Sequence, residues 1–218
     1  MINTSQRILE EYIGEHSSAE PDYLQAIARS THQHAVNPHM LSGHIQGRLL
    51  ALLSRMIRPK HILEIGTYTG YSALCLAEGL AAEGHLLTIE RNDELEDHIR
   101  ENLSLSPLGQ YIELKTGNAC EIIPLLPSDK RFELIFIDGD KREYPQYWDI
   151  VRDRLTDNGW IIADNTLWDG HVVDSVYDRD AQTKGLRMFN DLVAQDNQWE
   201  KVIIPVRDGL TVITRKNT

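Results

Sequence analysis

Cysteine is scarce in this chain: Cys75 and Cys120 are the only two among 218 residues. Two thiols cannot build the disulfide framework of a small extracellular domain. Cys75 also falls inside an apolar helical pattern, which favours a buried, reduced thiol. No apolar run approaches the ~20 residues that a membrane-spanning helix needs. Residues 1–7 lack the basic stretch and following apolar run of a secretion signal. These absences point to a cytoplasmic protein with no membrane partner. Positive charge is also in short supply, with 22 Lys and Arg against 33 Asp and Glu and a formal net charge of −11. Such a surface repels phosphate backbones, so nucleic acid is not the expected partner, although a local basic patch still admits a small anionic substrate. No Gly/Ser-rich or Pro-rich linker, internal repeat or low-complexity tract divides the chain.

What is present is a regular alternation. Hydrophobic residues make up 41% of the chain, enough for a substantial core. From His61 onward, short apolar runs predict strands at 61–65, 86–90, 111–115, 134–138 and 160–164. Helical patterns fall at 71–81, 93–104, 120–126 and 144–155. That rhythm predicts an α/β fold with a mostly parallel sheet covered by helices on both faces. The end of the chain differs. A helix is expected at 181–195, followed by runs at 201–206 and 209–215 that flank Arg207-Asp208, with Gly209 supplying turn chemistry. The last two strands should therefore form an antiparallel hairpin. Residues 6–16, 22–30 and 43–57 show helical spacing. The expectation is one domain over 1–218, with 1–58 a helical N-terminal extension and lid and 59–218 the α/β core. Residues 31–42 read as irregular and as part of that lid.

Two segments carry the chemistry: Phe136-Ile137-Asp138-Gly139-Asp140-Lys141 and Ile162-Ala163-Asp164-Asn165-Thr166-Leu167-Trp168. Each is a β-branched apolar run that ends in hard oxygen ligands. On neighbouring parallel strands, Asp138, Asp164 and Asn165 would emerge together at one sheet edge. Two carboxylates and an amide oxygen suit a magnesium-sized cation, and Lys141 could reach a hydroxyl bound beside it. Singly, the same residues have plainer readings. Asp138 could cap the next helix, Asp164–Asn165 could be an Asx turn, and Lys141 could be a surface lysine paired with Asp140 or Glu143. Trp168 could merely anchor its loop. His32, His34, His39 and His44 cluster locally without the spacing of a metal site.

The first strand leads into Glu64-Ile65-Gly66-Thr67-Tyr68-Thr69-Gly70, an acidic-x-Gly-x-x-x-Gly turn. Gly66 permits close approach of a ligand to the backbone. The Gly-x-Gly-x-x-Gly of dinucleotide folds is missing, and the Glu64 carboxylate would oppose a phosphate. It suits a ligand bearing an ammonium or hydroxyls. Glu90 ends the second strand, where an acid accepts hydrogen bonds from ribose hydroxyls. Gly117-Asn118-Ala119 reads equally as a plain loop or as the border of an adenine.

At these residues the chain resembles the small, cation-dependent, S-adenosylmethionine-dependent O-methyltransferases, the caffeoyl-CoA and catechol group, in their bacterial form. The resemblance runs from about Met40 to Arg215. It rests on Leu63-Glu64-Ile65-Gly66-Thr67-Tyr68-Thr69-Gly70-Tyr71-Ser72, Ile137-Asp138-Gly139-Asp140-Lys141, Asp164-Asn165-Thr166-Leu167-Trp168 and Gly209-Leu210-Thr211. It implies a Rossmann-like class I methyltransferase fold, with a seven-stranded sheet closed by an antiparallel hairpin. It implies Mg2+ or another divalent cation on Asp138, Asp164 and Asn165, with Lys141 as the catalytic lysine. It places S-adenosylmethionine against Glu64, Gly66, Ser72, Glu90 and Asp138, with Met40 and Ser42 over its methionine end. Trp168 falls on a substrate-side aromatic position, and the acceptor would be a small vicinal diphenol of catechol, caffeoyl or flavonoid type. The family is usually dimeric, so a homodimer is expected. A departure is Gly139, where the family often has alanine. For a coenzyme A ester, Arg48, Arg55 and Arg58 are the cationic candidates. The competing readings are an NAD-dependent oxidoreductase on the same kind of sheet, or a non-catalytic nucleotide-binding paralogue.

Overall fold

The computed structural model describes residues 4–216. Seven strands form one sheet: β1 (His61–Ile65), β2 (His85–Glu90), β3 (Ile112–Thr116), β4 (Phe132–Ile137), β5 (Leu155–Ala163), β6 (Trp199–Ile204) and β7 (Leu210–Arg215). Their spatial order is β3-β2-β1-β4-β5-β7-β6. Strands β1 to β5 run parallel, and β7 enters antiparallel between β5 and β6. Helices α1 (Thr4–Glu15), α2 (Asp22–His34) and α3 (Gly43–Ile57) precede the sheet. Helices α4 (Tyr71–Ala77), α5 (Glu96–Ser104), α6 (Ala119–Leu125), α7 (Tyr144–Val151) and α8 (Ala181–Gln195) connect its strands.

Strand alternation divides the core into two halves. Leu63, Ile65, Ile135, Ile137, Ile161 and Ala163 point into one, beside Ile123, Trp148, Phe189 and Trp199. Ile62, Leu134, Phe136 and Ile162 point into the other, beside Leu74, Ile99 and Leu103. Leu24 and Ile27 of α2 and Leu50 of α3 belong to this second half, so these N-terminal helices pack on the sheet's helical layer. Each large side chain buried this way contributes roughly 1.5–3 kcal/mol. That contribution sustains α4, all seven residues of which are buried, although a helix so short is unstable alone.

Most elements begin or end a few residues from where the sequence pattern puts them, and the helices show the clearest departures. Helix α4 stops at Ala77, not 81. The backbone of α3 crosses Gly79 so closely that a Cβ there would lie 2.2 Å from the Ser54 carbonyl carbon, and Ser54 Oγ donates to Leu76 O at 2.6 Å. Helix α7 stops at Val151 because Leu155, which reads as its last apolar position, pairs with Phe132 and opens β5. The pattern at 93–104 divides into a short 3-10 turn, Asp93–Leu95, and α5. The stretch expected to be irregular at 31–42 begins as the last turn of α2 and contains a 3-10 turn at Pro38–Met40.

The strand order reverses between β1 and β4: β2 and β3 extend to one side, β5 to the other. In open α/β sheets the ligand crevice lies at the carboxyl ends of the strands on either side of such a reversal.

Candidate active site

Backbone hydrogen bonds continue one residue beyond the strands. Gly66 N donates to Ile89 O at 2.9 Å, Asp138 N to Ile65 O at 2.8 Å, Asp164 N to Ile137 O at 2.9 Å, and Gly117 N to Glu90 O at 2.8 Å. These bonds bring Gly66, Asp138, Asp164 and Gly117 to one edge. They border a cavity of about 830 Å³ whose lining includes Met40, Ser42, Gly66, Ser72, Glu90, Ala119, Asp138, Lys141, Asp164, Asn165 and Trp168.

Gly66 is required twice over. Its φ is +94°, and a Cβ would fall 2.3 Å from the Asp138 carbonyl oxygen. Glu90 holds the turn that follows, accepting from Thr67 N at 3.1 Å, Tyr68 N at 2.7 Å and Asn92 N at 2.9 Å. Asn118 caps α6 through Cys120 N at 2.9 Å, which sets Ala119 in the cavity wall.

Glu64 stands apart from the expected arrangement. It is 0% exposed and lies behind the cavity wall, not in it. Ser72 Oγ donates to one of its oxygens at 2.7 Å and Thr88 Oγ1 to the other at 2.5 Å. Burial pushes its carboxyl up to about 8, against which the two hydroxyls and the nearby acids are smaller influences. Ser72, which does line the cavity, therefore carries the Glu64 carboxylate's connection to it.

At the other half of the edge, Lys141 is buried, with Nζ 2.7 Å from Asp138 Oδ1 and 3.1 Å from Tyr144 Oη. The Tyr144 hydroxyl donates onward to Asp164 O at 2.9 Å and Ile137 O at 3.2 Å. Burial, reinforced by Asp138 and Asp164, holds that phenol protonated, well above its ordinary range. Lys141 is thus no solvated lysine: Asp140 pairs instead with Arg142, and Glu143 with Arg91 at 2.8 Å. The helix-capping role open to Asp138 falls to Asp140, which accepts from Arg142 N at 3.0 Å.

Asp164 is 3% exposed. Burial first, and the neighbouring Asp138 second, raise its carboxyl above the usual range. One oxygen accepts from Asn165 N at 2.7 Å and the other from Gln46 Nε2. Asn165 adopts φ +57°, and its Nδ2 faces Asp208 Oδ2 at 3.4 Å. That leaves its amide oxygen as the free end. Among the described residues no three His, Cys, Asp or Glu side chains converge as a metal-binding group. A cation here would rest on two carboxylates, the Asn165 oxygen and water. That donor set fits a small hard ion, which keeps several waters, and a cation would relieve the repulsion between the two buried acids. Arg48 and Arg55 are bound to Glu78, away from this cavity, so neither is available to a phosphate there.

Four residues that support the site from around it escaped the sequence reading: Gln46, Tyr144, Arg207 and Asp208. Gln46 offered a signal, being a polar residue amid the apolar stripe of α3, and it is 1% exposed. Arg207 and Asp208 read only as hairpin turn residues. Their partners lie far away in sequence, at 39–42 and 165–168.

A doubly wound sheet with a reversed terminal hairpin, and a switch-point cavity carrying a glycine turn and clustered hard-oxygen donors, defines a Rossmann-like α/β protein built for a nucleotide-type ligand. Comparison with known proteins narrows that class. A family profile described as O-methyltransferase matches residues 14–216. A catechol O-methyltransferase of Niastella koreensis is 30% identical over 206 residues, covering 94% of this chain and 92% of the relative. Caffeoyl-CoA O-methyltransferase 5 of Nicotiana tabacum is 32% identical over 208 residues, covering 90% and 85%. Among solved structures, the O-methyltransferase TomG of Streptomyces achromogenes, in complex with SAM, superposes with a TM-score of 0.90 at 27% identity, covering 99% of this chain and 100% of that one. An O-methyltransferase of Bacillus cereus in complex with SAH gives 0.89 at 27% identity, covering 96% and 97%. The chain belongs to the O-methyltransferase family, with the class I fold of that family, which sets the oxidoreductase reading aside.

Proposed function

We propose that this protein transfers the methyl group of S-adenosylmethionine to one hydroxyl of a small vicinal diphenol, of catechol, caffeoyl or flavonoid type, assisted by a divalent cation such as Mg2+. The observation that carries this reading is the meeting of Asp138, Lys141, Asp164 and Asn165 with the Gly66 turn around one cavity. The named relatives support a catechol-like acceptor, and the SAM- and SAH-bound neighbours support the donor. The setting expected is a cytoplasmic homodimer, with neither membrane nor nucleic acid as a partner.

In this reading Asp138, Asp164 and Asn165 hold the cation. A bound ion would supply Lewis acidity to the acceptor. Gly66, Ser72, Glu90 and Ala119 seat the donor, and Met40 and Ser42 cover its methionine end. Glu64 acts through Ser72, fixing the hydroxyl that faces the ligand. The reaction is an in-line displacement: the acceptor oxygen forms a bond to the methyl carbon as the carbon–sulfur bond breaks, and the electron pair stays on sulfur. Lys141, once its Nζ has released a proton to solvent, takes the proton of the attacking hydroxyl on the nitrogen lone pair, its Nζ held in place by Asp138 and the Tyr144 hydroxyl. Trp168, with Lys141 Nζ 6.0 Å from its ring centroid, packs against the acceptor. A phenol titrates near ~10, so its proton must be removed at neutral pH. General-base help contributes ~10²–10⁴-fold. Fixing the reacting atoms in line contributes up to ~7–11 kcal/mol, so positioning outweighs the lysine.

The test is a methylation screen over diphenols and their monohydroxy analogues, read by mass, across a metal series and with a chelator. Methylation of diphenols alone, lost on chelation and restored by Mg2+, is the expected result. Full turnover in thoroughly demetallated enzyme would sink the cation's part. Inertness toward every diphenol would sink the acceptor class.

A further inference from the structure

We propose that Arg207 is a positioning residue: it latches the roof of the cavity to the β6–β7 turn and thereby sets how long the bound donor is retained. The donor half of this inference rests on the function proposed above.

The roof is the segment 35–42, every residue of which except Pro38 lines the cavity. Little of it is buried. Val36 is 94% exposed and Met40 53%; Ala35 and Pro38 are half-buried, and only Leu41 and Ser42 are fully buried. A segment with so few buried groups opens locally at low cost. Two side chains from elsewhere hold its backbone. Tyr68 Oη donates to Asn37 O at 3.0 Å. Arg207 contributes more: Nη1 donates to Leu41 O at 2.8 Å and to Ser42 O, and Nη2 to His39 O at 3.4 Å.

The turn that carries Arg207 is tied equally to the acceptor side. Asp208 O accepts from Leu167 N at 2.7 Å and Trp168 N at 3.2 Å, and Gly209 O accepts from Thr166 N at 3.0 Å. Asp208 Oδ2 faces Asn165 Nδ2. One four-residue turn therefore joins the roof to the loop that carries Asn165 and Trp168. Its backbone is strained at the latch: Arg207 adopts φ +49°, a region that favours glycine. A turn selected for the hairpin alone would carry glycine there. The arginine is accommodated against that preference, and what its side chain does is hold the roof.

The test exploits the strain. Arg207→Gly relieves the backbone and removes the side chain that makes the latch, so a role confined to hairpin stability predicts no loss. Three quantities are read: amide hydrogen exchange at 37–42 in ligand-free protein, S-adenosylhomocysteine affinity and dissociation rate, and the thermal midpoint of ligand-free protein. For Arg207→Gly, exchange across 37–42 should rise about tenfold or more. Dissociation of S-adenosylhomocysteine should quicken by about 10–100-fold, as expected for losing charge-assisted hydrogen bonds. The midpoint should hold or rise. KM for the donor should rise while kcat at saturating donor stays near wild type. Arg207→Lys, keeping one cationic donor, should fall between. Unchanged exchange at 37–42, or a midpoint that falls in step with affinity, would overturn the latch. The exchange measurement needs no ligand. If wild-type protein fails to bind S-adenosylhomocysteine, the donor reading falls, and exchange still decides whether Arg207 holds the roof.

Discussion

Replacing Glu64 with glutamine should change how stability depends on pH, in a direction that the burial of this carboxyl fixes. In the folded, ligand-free protein Glu64 is fully enclosed, and its carboxyl is pushed from an ordinary 4.5 up to about 8. The folded state therefore binds this proton more tightly than the unfolded chain does. Its contribution is fully present below pH ~4.5 and is lost as pH rises through ~8. Each tenfold difference in proton affinity is worth ~1.4 kcal/mol, so the loss across that window is at most about 5 kcal/mol. The hydroxyls of Ser72 and Thr88 already offset part of the burial penalty. Glutamine has the same shape and never ionises. At pH 5 Glu64→Gln should lie within about 1 kcal/mol of wild type, the range of one hydrogen bond. At pH 9 it should be the more stable protein, by several kcal/mol. The assay is urea unfolding of both ligand-free proteins between pH 5 and 9, plotted as a difference. Asp164 titrates upward for its own reasons in both proteins, and the subtraction removes it. Parallel curves for the two proteins would refute the argument, because they would mean that Glu64 is ionised in the fold at neutral pH.

Asp164→Ala should abolish cation-stimulated turnover and calorimetric binding of Mg2+ or Mn2+, while S-adenosylhomocysteine affinity stays within about threefold; equal loss of both would point to misfolding or a misassigned site. Lys141→Ala should slow single-turnover methylation by ~10²–10⁴-fold, most at low pH where phenolate is scarce. A rate unchanged across pH would remove the lysine from the mechanism. Gly66→Ala combines a φ of +94° with a Cβ 2.3 Å from the Asp138 carbonyl oxygen. It should cost roughly 2–4 kcal/mol in urea unfolding, and an unchanged midpoint would show that the turn yields more easily than its geometry implies.

The legible parts of the site are those written locally. An apolar β-branched run that stops abruptly at Asp138 or Asp164 marks the carboxyl end of a buried parallel strand, and parallel strands deliver their ends to one edge. Gly66 was legible for a similar reason, since an acidic-x-Gly turn after such a strand announces close backbone approach. Lys141 was legible as a residue near Asp138, because three positions along a turn keep the two within reach. The helices were less so at their ends. Leu155 satisfies a helical pattern and a strand equally well, and only its pairing with Phe132 decides between them.

The sequence by itself determined the alternation of strands and helices, the antiparallel close and the oxygen-rich strand ends, because side-chain periodicity and turn chemistry act over a few residues. Tertiary structure decided which of those groups line the cavity and which stand behind it. Glu64, two residues before Gly66, faces Ser72 and Thr88, because strand alternation and the packing of α4 turn it from the cavity. Gln46 reaches Asp164, and Arg207 reaches the roof, across separations of 118 and 166 residues. Contacts at such distances follow from the order of strands in the sheet, and no local pattern encodes them.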